Sequence, residues 1–193
     1  MAAPQEFSFS VLRQIDVTLL AIQDRDLTGS YRSNDTYGTG ACARDQINMC
    51  VGDERVGGNN MQYKGFVTFD LSVLPTSMAR LSSAQLNLQI TGMSGNPFGG
   101  LGGLFLEHTR FDVIGAEAFV AEPLADLGRI ANGGTAGTLL GLDVLSAVEL
   151  DVDEQGTTQY RLSFEDATDA DRTADAIVSA WTTQSLSLSY LLP

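Results

Sequence analysis

The chain has a single histidine, His108, only two cysteines, and eleven basic residues among 193. One histidine excludes the multi-histidine zinc centres. With Cys42 and Cys50 lying far from it in sequence, a four-ligand zinc site is not expected. It also leaves one side chain as the base of a serine hydrolase. His108 sits in the alternating run LFLEHTRFD, with Glu107 pointing to the opposite face, and no GxSxG nucleophile elbow occurs. Long apolar runs are lacking too, and none approaches the ~20 residues that span a bilayer. The opening MAAPQEF has neither the basic nor the apolar region of a signal peptide. We expect an initiator Met placed on a mature chain whose signal has been removed.

Positive charge is scarce, and negative charge is unevenly placed. Residues 1–110 carry ten acidic and eight basic residues, while residues 111–193 carry fourteen and three. The formal net charge is −13. Such a surface repels nucleic-acid phosphates and anionic lipid, so neither nucleic acid nor membrane insertion is expected, while divalent cations are favoured. With 44% apolar and 18% charged residues, the composition is that of a globular chain whose length suits one domain.

What the sequence has in plenty is alternation. QIDVTLLAI (14–22), GFVTFDL (65–71), AQLNLQI (84–90), QYRLSFE (159–165) and SLSLSYL (185–191) each read as a half-buried strand. Leu86, Leu88, Ile90, Tyr160, Leu162, Phe164, Leu186, Leu188 and Tyr190 are the expected inward positions. Between them lie glycine-rich stretches that read as loops: residues 91–103 with six glycines, 131–137 and 51–60. None has the GxxxxGK[ST] order of a phosphate-binding loop. Residues 124–128 suggest a helical turn, and residues 173–181 fit helix or strand. The segment ELDVDEQG (149–156) alternates, and reads as a charged edge strand with Asp151 and Asp153 on one face. Many short strands with frequent turns predict an all-β fold, a single jelly-roll-like antiparallel sandwich over 13–193. Residues 1–12 then form an N-terminal arm or first strand. QEFSFSVL within them alternates as an arm would that completes a neighbouring copy's sheet.

Four groups of residues invite a functional reading. TDADRTAD places Asp169, Asp171 and Asp175 at spacings of two and four. Alternate carboxylates in a loop can hold calcium, although the EF-hand order is absent; the alternative is a solvated turn in which Asp169 caps a neighbour. Tyr31, Tyr37 and Tyr63 lie in or near loops where flat rings can stack on a sugar, and Arg32 and Arg44 beside them can pair with a uronate carboxylate. Trp181 follows an apolar stretch and reads as core. Cys42 and Cys50 flank a polar loop and read as a local disulfide, hence an oxidising compartment, or as two reduced, half-buried thiols. Closing so short a loop contributes ~2–3 kcal/mol in the chain-entropy model. Asn34, in NDT, meets the glycosylation acceptor pattern.

The stretch YKGFVTFDLSVLPTSMARLSSAQLNLQI resembles the DNRLRE-type domains, related to carbohydrate-binding module family 96. The residues that carry the likeness are Phe69, Asp70, Leu71, Ser72, Pro75, Ser83, Ala84, Leu86 and Leu88. AIQDRDLTGSYRSNDTYGTG is similar to the family's opening, and the last strands resemble its close. The loop from Cys42 to Cys50 is longer than the family's usual crossing, and Thr68 stands where a basic residue is common. The resemblance implies a secreted or cell-surface β-sandwich without catalytic machinery; some members of the family bind acidic polysaccharide, and many others form part of larger extracellular proteins. The resemblance carries none of the family's glycan-binding residues over to a numbered position of this chain. The expected partners are therefore an extracellular polysaccharide or copies of the chain itself.

Overall fold

A computed structural model describes residues 11–33, 42–43, 46, 48–154 and 156–193. The alternating runs form antiparallel strands: β1 (Arg13–Leu20), β2 (Gly29–Arg32), β3 (Asn48–Val56), β4 (Asn59–Asp70), β5 (Arg80–Gln89), β6 (Gly92–Ser94), β7 (Leu104–Thr109), β8 (Ala125–Ala131), β9 (Leu139–Asp143), β10 (Thr157–Phe164), β11 (Ala176–Ala180) and β12 (Gln184–Leu192). Short helices α1 (Pro97–Gly100) and α2 (Ala116–Val120) and the longer α3 (Leu145–Glu154) connect them.

Two sheets face each other. One has four strands in the order β1-β12-β5-β9, and the other runs β6-β11-β3-β4-β10-β7-β8, with β2 added beside β4. First and last strands are neighbours, and β12 lies beside β5 rather than beside β11. These long crossings are those of a jelly-roll-like sandwich, as the alternation predicts.

The core follows from the period-2 pattern. Leu86, Leu88, Leu186 and Leu188 from one sheet meet Val67, Phe69, Tyr160 and Leu162 from the other, all buried. Each such side chain contributes about 1.5–3 kcal/mol on burial. Strand β4 is buried on both faces: Val67 and Phe69 enter the core, while Phe66 packs with Tyr31, Ile114 and Ala118 in a second cluster beneath α2. The Phe66 ring meets Phe111 edge-on at 5.3 Å.

Three expectations are corrected. Residues 149–154 of the segment read as a charged edge strand belong to α3. Val144, Ala147, Val148 and Asp151 recur at helical spacing and are all buried, so the 3.6-residue period overrides the shorter alternation. Asp151 and Asp153 do not share a face: Asp151 is buried and Asp153 exposed. Asp143 starts the helix by accepting the Leu145 N–H at 2.9 Å. Within the run 124–128, residues 125–128 belong to β8 instead of a helical turn. Gly128, at φ +88°, lets that strand bulge where its pairing with β7 slips, a conformation that penalises a β-carbon. Trp181 is half-buried at a 3₁₀ turn rather than in the core. The run 173–181, left between helix and strand, holds β11.

The arm residues 1–10 and Asn34 lie outside the described residues. Among the described residues no helix is long and apolar enough to cross a membrane.

Candidate functional site

Two features of this scaffold have chemistry to offer: the acidic loop that leads into β11, and the outer face of the four-stranded sheet.

In the acidic loop, one carboxylate oxygen from each of Asp169, Asp171 and Asp175 lies within 4.8 Å of the others, a group that can hold a metal ion. Each of the first two aspartates folds its own neighbourhood. Asp169 Oδ1 accepts the Asp171 N–H at 3.1 Å, and Asp171 Oδ1 accepts the Thr173 N–H at 2.7 Å. The residues just after them, Ala170 and Arg172, are left-handed at φ +60° and +71°. Non-glycine residues rarely adopt that conformation, at a cost of about 1–3 kcal/mol each. The Thr173 hydroxyl lies 2.7 Å from Asp171 Oδ2 and 3.2 Å from Asp175 Oδ2, so its single proton serves one carboxylate at a time.

Asp175 is fixed more deeply. Its side chain is buried and accepts the Asn96 N–H, its own N–H donates to Asp53 Oδ1 at 3.0 Å, and its carbonyl accepts the Asp53 N–H at 2.8 Å. Asp53, in β3, is a fourth carboxylate beside the three, and Asn60 donates to its Oδ2 at 2.9 Å. Burial pushes the Asp53 carboxyl above its ordinary value, and the charges of Asp169 and Asp175 push the same way. Asp171 moves down, held by the Thr173 N–H and then the Thr173 hydroxyl. Sequence separation hid Asp53 from a reading of the loop alone.

Glycines admit the loop to the sheet. A β-carbon on Gly52, which has φ +138°, would land on the Asp175 carbonyl. Gly52→Ala is therefore expected to lower stability by about 1–3 kcal/mol through forced backbone displacement, measured as a shift of the urea midpoint. Gly57→Ala is the control: it also has positive φ (+59°) but open space around it, so it should cost less.

The residues predicted to bind sugar are arranged otherwise. Arg32 and Tyr63 come together on β2 and β4, but as a buried pair: Arg32 Nη1 donates to Glu54 Oε2 at 3.1 Å, and the Tyr63 hydroxyl donates to the same oxygen, while Tyr31 packs with Phe66 in the second cluster beneath α2. Tyr31 and Tyr63 retain 8% and 1% exposure, so neither ring presents a face for stacking. Glu54, from the neighbouring strand β3, supplies the acceptor that makes the burial of Arg32 and Tyr63 affordable. Tyr37 and Arg44 lie outside the described residues. Cys42 and Cys50 form a disulfide, anchoring the loop to β3.

His108 is also buried. Its Nε2 lies 2.7 Å from Asp151 Oδ2 on α3, and both side chains are closed to solvent. Glu107, on the other face of β7, pairs with Arg161 at 2.6 Å.

The outer face of the four-stranded sheet went unread in the sequence. The half of each alternation that points away from the core carries small polar groups, and strand pairing aligns them in rows. One row crosses all four strands, Thr18–Ser187–Gln85–Asp143, and another runs Asp16–Ser189–Ser83. Together they line an open groove of about 470 Å³. Ser189 donates to Asp16 at 2.6 Å, Gln14 to Asp16 at 3.0 Å, and Asn87 to Ser187 at 3.1 Å. The Ser189 hydroxyl, and then the Gln14 amide, hold Asp16 below the usual carboxylate range. The signal was present in SLSLSYL, whose serines recur as regularly as its leucines.

No family model matches the chain, and no curated protein matches it either.

Proposed function

We propose that the chain is a non-catalytic extracellular module that binds polysaccharide in the groove across β1, β12, β5 and β9. The groove itself carries this reading: hydroxyls, amides and carboxylates converge there on one open surface, the complement of a ligand made of hydroxyl groups. The resemblance to the DNRLRE-type domains supports it. So does the fate of His108, which lies inside the core, where no substrate reaches it. The disulfide suits an oxidising, extracellular setting.

Calcium braces the fold at the 169–175 loop in this reading. Three carboxylates beside the buried Asp53 repel one another, and a divalent cation with hard-oxygen preference relieves that repulsion. A ligand that binds only the folded state, at a hundred times its Kd, adds about 2.7 kcal/mol. Calcium is therefore expected to raise the melting temperature by several degrees, and Asp171→Ala is expected to abolish the rise. Because the loop sits on the opposite sheet from the groove, calcium should act on stability rather than on ligand contact.

The test is retention of the purified chain on a panel of neutral and acidic polysaccharides, in calcium and in chelator. Retention on at least one supports the module; retention on none in either buffer overturns it.

One observation favours a second reading, that of a subunit in an extracellular fibre. Strand β1 forms an edge of its sheet, pairing with β12 over eight residues without a slip. An edge strand of this length is a template for strand addition by another copy. Sedimentation of the full chain, with and without residues 1–12, distinguishes the two: a fibre subunit assembles without saccharide and stops assembling when the arm is removed.

A further inference from the structure

We infer that the groove selects an uncharged polysaccharide and turns uronate polymers away, with Asp16 and Asp143 as the residues that discriminate. This rests on the polysaccharide-binding reading above and concerns which class of polymer the site takes.

The two aspartates stand on the strands at either side of the sheet, β1 and β9, while β12 and β5 between them present Ser187, Ser189, Ser83 and Gln85. A polymer crossing the strands along the row from Thr18 to Asp143 meets a hydroxyl, a hydroxyl, an amide and a carboxylate in turn. Strands are about 4.8 Å apart, so these groups are spaced on the scale of a single sugar ring. Sugar hydroxyls both donate and accept. An aspartate takes two donors, a serine takes one and gives one, and the Gln85 amide does both. Every group in the row therefore has a neutral hydroxyl as a suitable partner.

A uronate has no comparable place. Among the described residues no cationic side chain lines the groove, so its carboxylate would find there no bidentate partner of the kind arginine supplies. It would instead meet two carboxylates on a chain of net charge −13. Asp16 is fully ionised at neutral pH, since its partners hold it below the ordinary range. Like charges set against each other at a binding face exclude the wrong ligand more strongly than any contact here attracts the right one.

Among the described residues the lining also offers no aromatic ring. Without stacking, a single sugar makes only a few exchangeable hydrogen bonds, each of small net value. Affinity then has to come from several sugars of one chain lying across successive strands, so a polymer should be held where its monosaccharide is not.

The experiment is affinity electrophoresis of the full chain in gels containing soluble β-glucan, mannan or polygalacturonate, with calcium present throughout. We expect retardation by a neutral polymer at least tenfold stronger than by polygalacturonate, little changed by added salt. Asp16→Asn with Asp143→Asn keeps the local hydrogen bonding, including the acceptor for the Leu145 N–H, and should narrow the discrimination to less than threefold. Ser187→Arg should block the neutral polymer, with circular dichroism and melting confirming that the variant folds. Equal or stronger retardation by polygalacturonate overturns the charge selection and leaves the binding module standing. Unaltered discrimination in the double variant removes the aspartates' role. Retardation by none of the polymers overturns the selection together with the module.

Discussion

Asp151→Ala is expected to lower the stability of the protein by about 3–5 kcal/mol. Asp151 lies on α3, with 3% of its side chain exposed, and faces His108 on β7 at 2.7 Å. Arg110 reaches its other oxygen at 3.6 Å from a partly exposed position. The His108 Nδ1 has no protein partner among the described residues and the Tyr160 ring packs 5.9 Å away, so the imidazole depends on Asp151 for its polar contact. Deleting the carboxylate leaves a buried ring nitrogen unsatisfied and opens a cavity beneath the helix. The helix has no comparable polar anchor among the described residues, because its remaining buried positions, Ala147 and Val148, are apolar, as is the buried Val144 just before it. Asp151→Asn retains a hydrogen-bonding group and should recover part of the loss. Exposed Asp153→Ala should stay within about 0.5 kcal/mol of the parent. Replacing His108 and Asp151 together by leucine should cost less than the two single changes combined, since no orphaned polar group remains. Urea denaturation measures all four. A midpoint for Asp151→Ala within 1 kcal/mol of the parent would show that the pair does not hold α3.

This pair also marks where sequence reasoning stopped. The strands were legible because a residue's own neighbours, two positions away, report which face is buried. Leu186, Leu188 and Tyr190 needed no partner to be recognised as inward. Helix α3 was obscured because Leu150 and Val152 alternate with acids over the same residues in which Val144, Ala147, Val148 and Asp151 recur at helical spacing. Once Asp151 was assigned to a strand, its partnership with His108 could not be seen. Long-range pairing hid the rest. The acidic loop announced itself, but Asp53 joins it from 122 residues away. The row Thr18–Ser187–Gln85–Asp143 assembles four strands that no local pattern places side by side. Tyr31 and Tyr63 looked available because loop sequence surrounds them. Pairing of β2 with β4 buries them instead, Tyr31 against Phe66 and Tyr63 with a carboxylate from β3.

Arg161→Met is expected to cost about 3 kcal/mol, for a reason that also sets its pH dependence. Arg161 lies on β10 with 3% exposure, and its Nε donates to Glu107 at 2.6 Å. Its Nη1 donates to the carbonyls of Ala118 at 2.8 Å and Phe119 at 3.2 Å. Helix α2 has only five residues and no basic side chain in its last turn, so its terminal carbonyls need donors from elsewhere. The sheet below supplies them: Lys64 also donates to the Phe119 carbonyl at 2.9 Å, with its ammonium 4.6 Å from the Phe119 ring centre. Removing Arg161 strips the Ala118 carbonyl of this donor and leaves Glu107 without its ion pair. Lys64 responds in the opposite sense. Burial lowers its pKa, the Arg161 charge lowers it further, and Glu107 raises it. A lysine titrating lower in the folded state costs stability while it is charged. That cost is relieved as pH rises from the folded pKa towards the unfolded value near 10.4. Without Arg161 the folded pKa of Lys64 moves back up and the alkaline relief shrinks. The deficit of Arg161→Met relative to the parent should therefore widen as the pH rises above the folded pKa of Lys64 towards the unfolded lysine value near 10.4. Taking the difference between the two proteins cancels the titration of groups they share, including Tyr160, whose burial raises its pKa. Urea midpoints across that range test both parts: a deficit that stays constant with pH removes the coupling to Lys64, and one below 1 kcal/mol at neutral pH removes the role of Arg161 in capping α2.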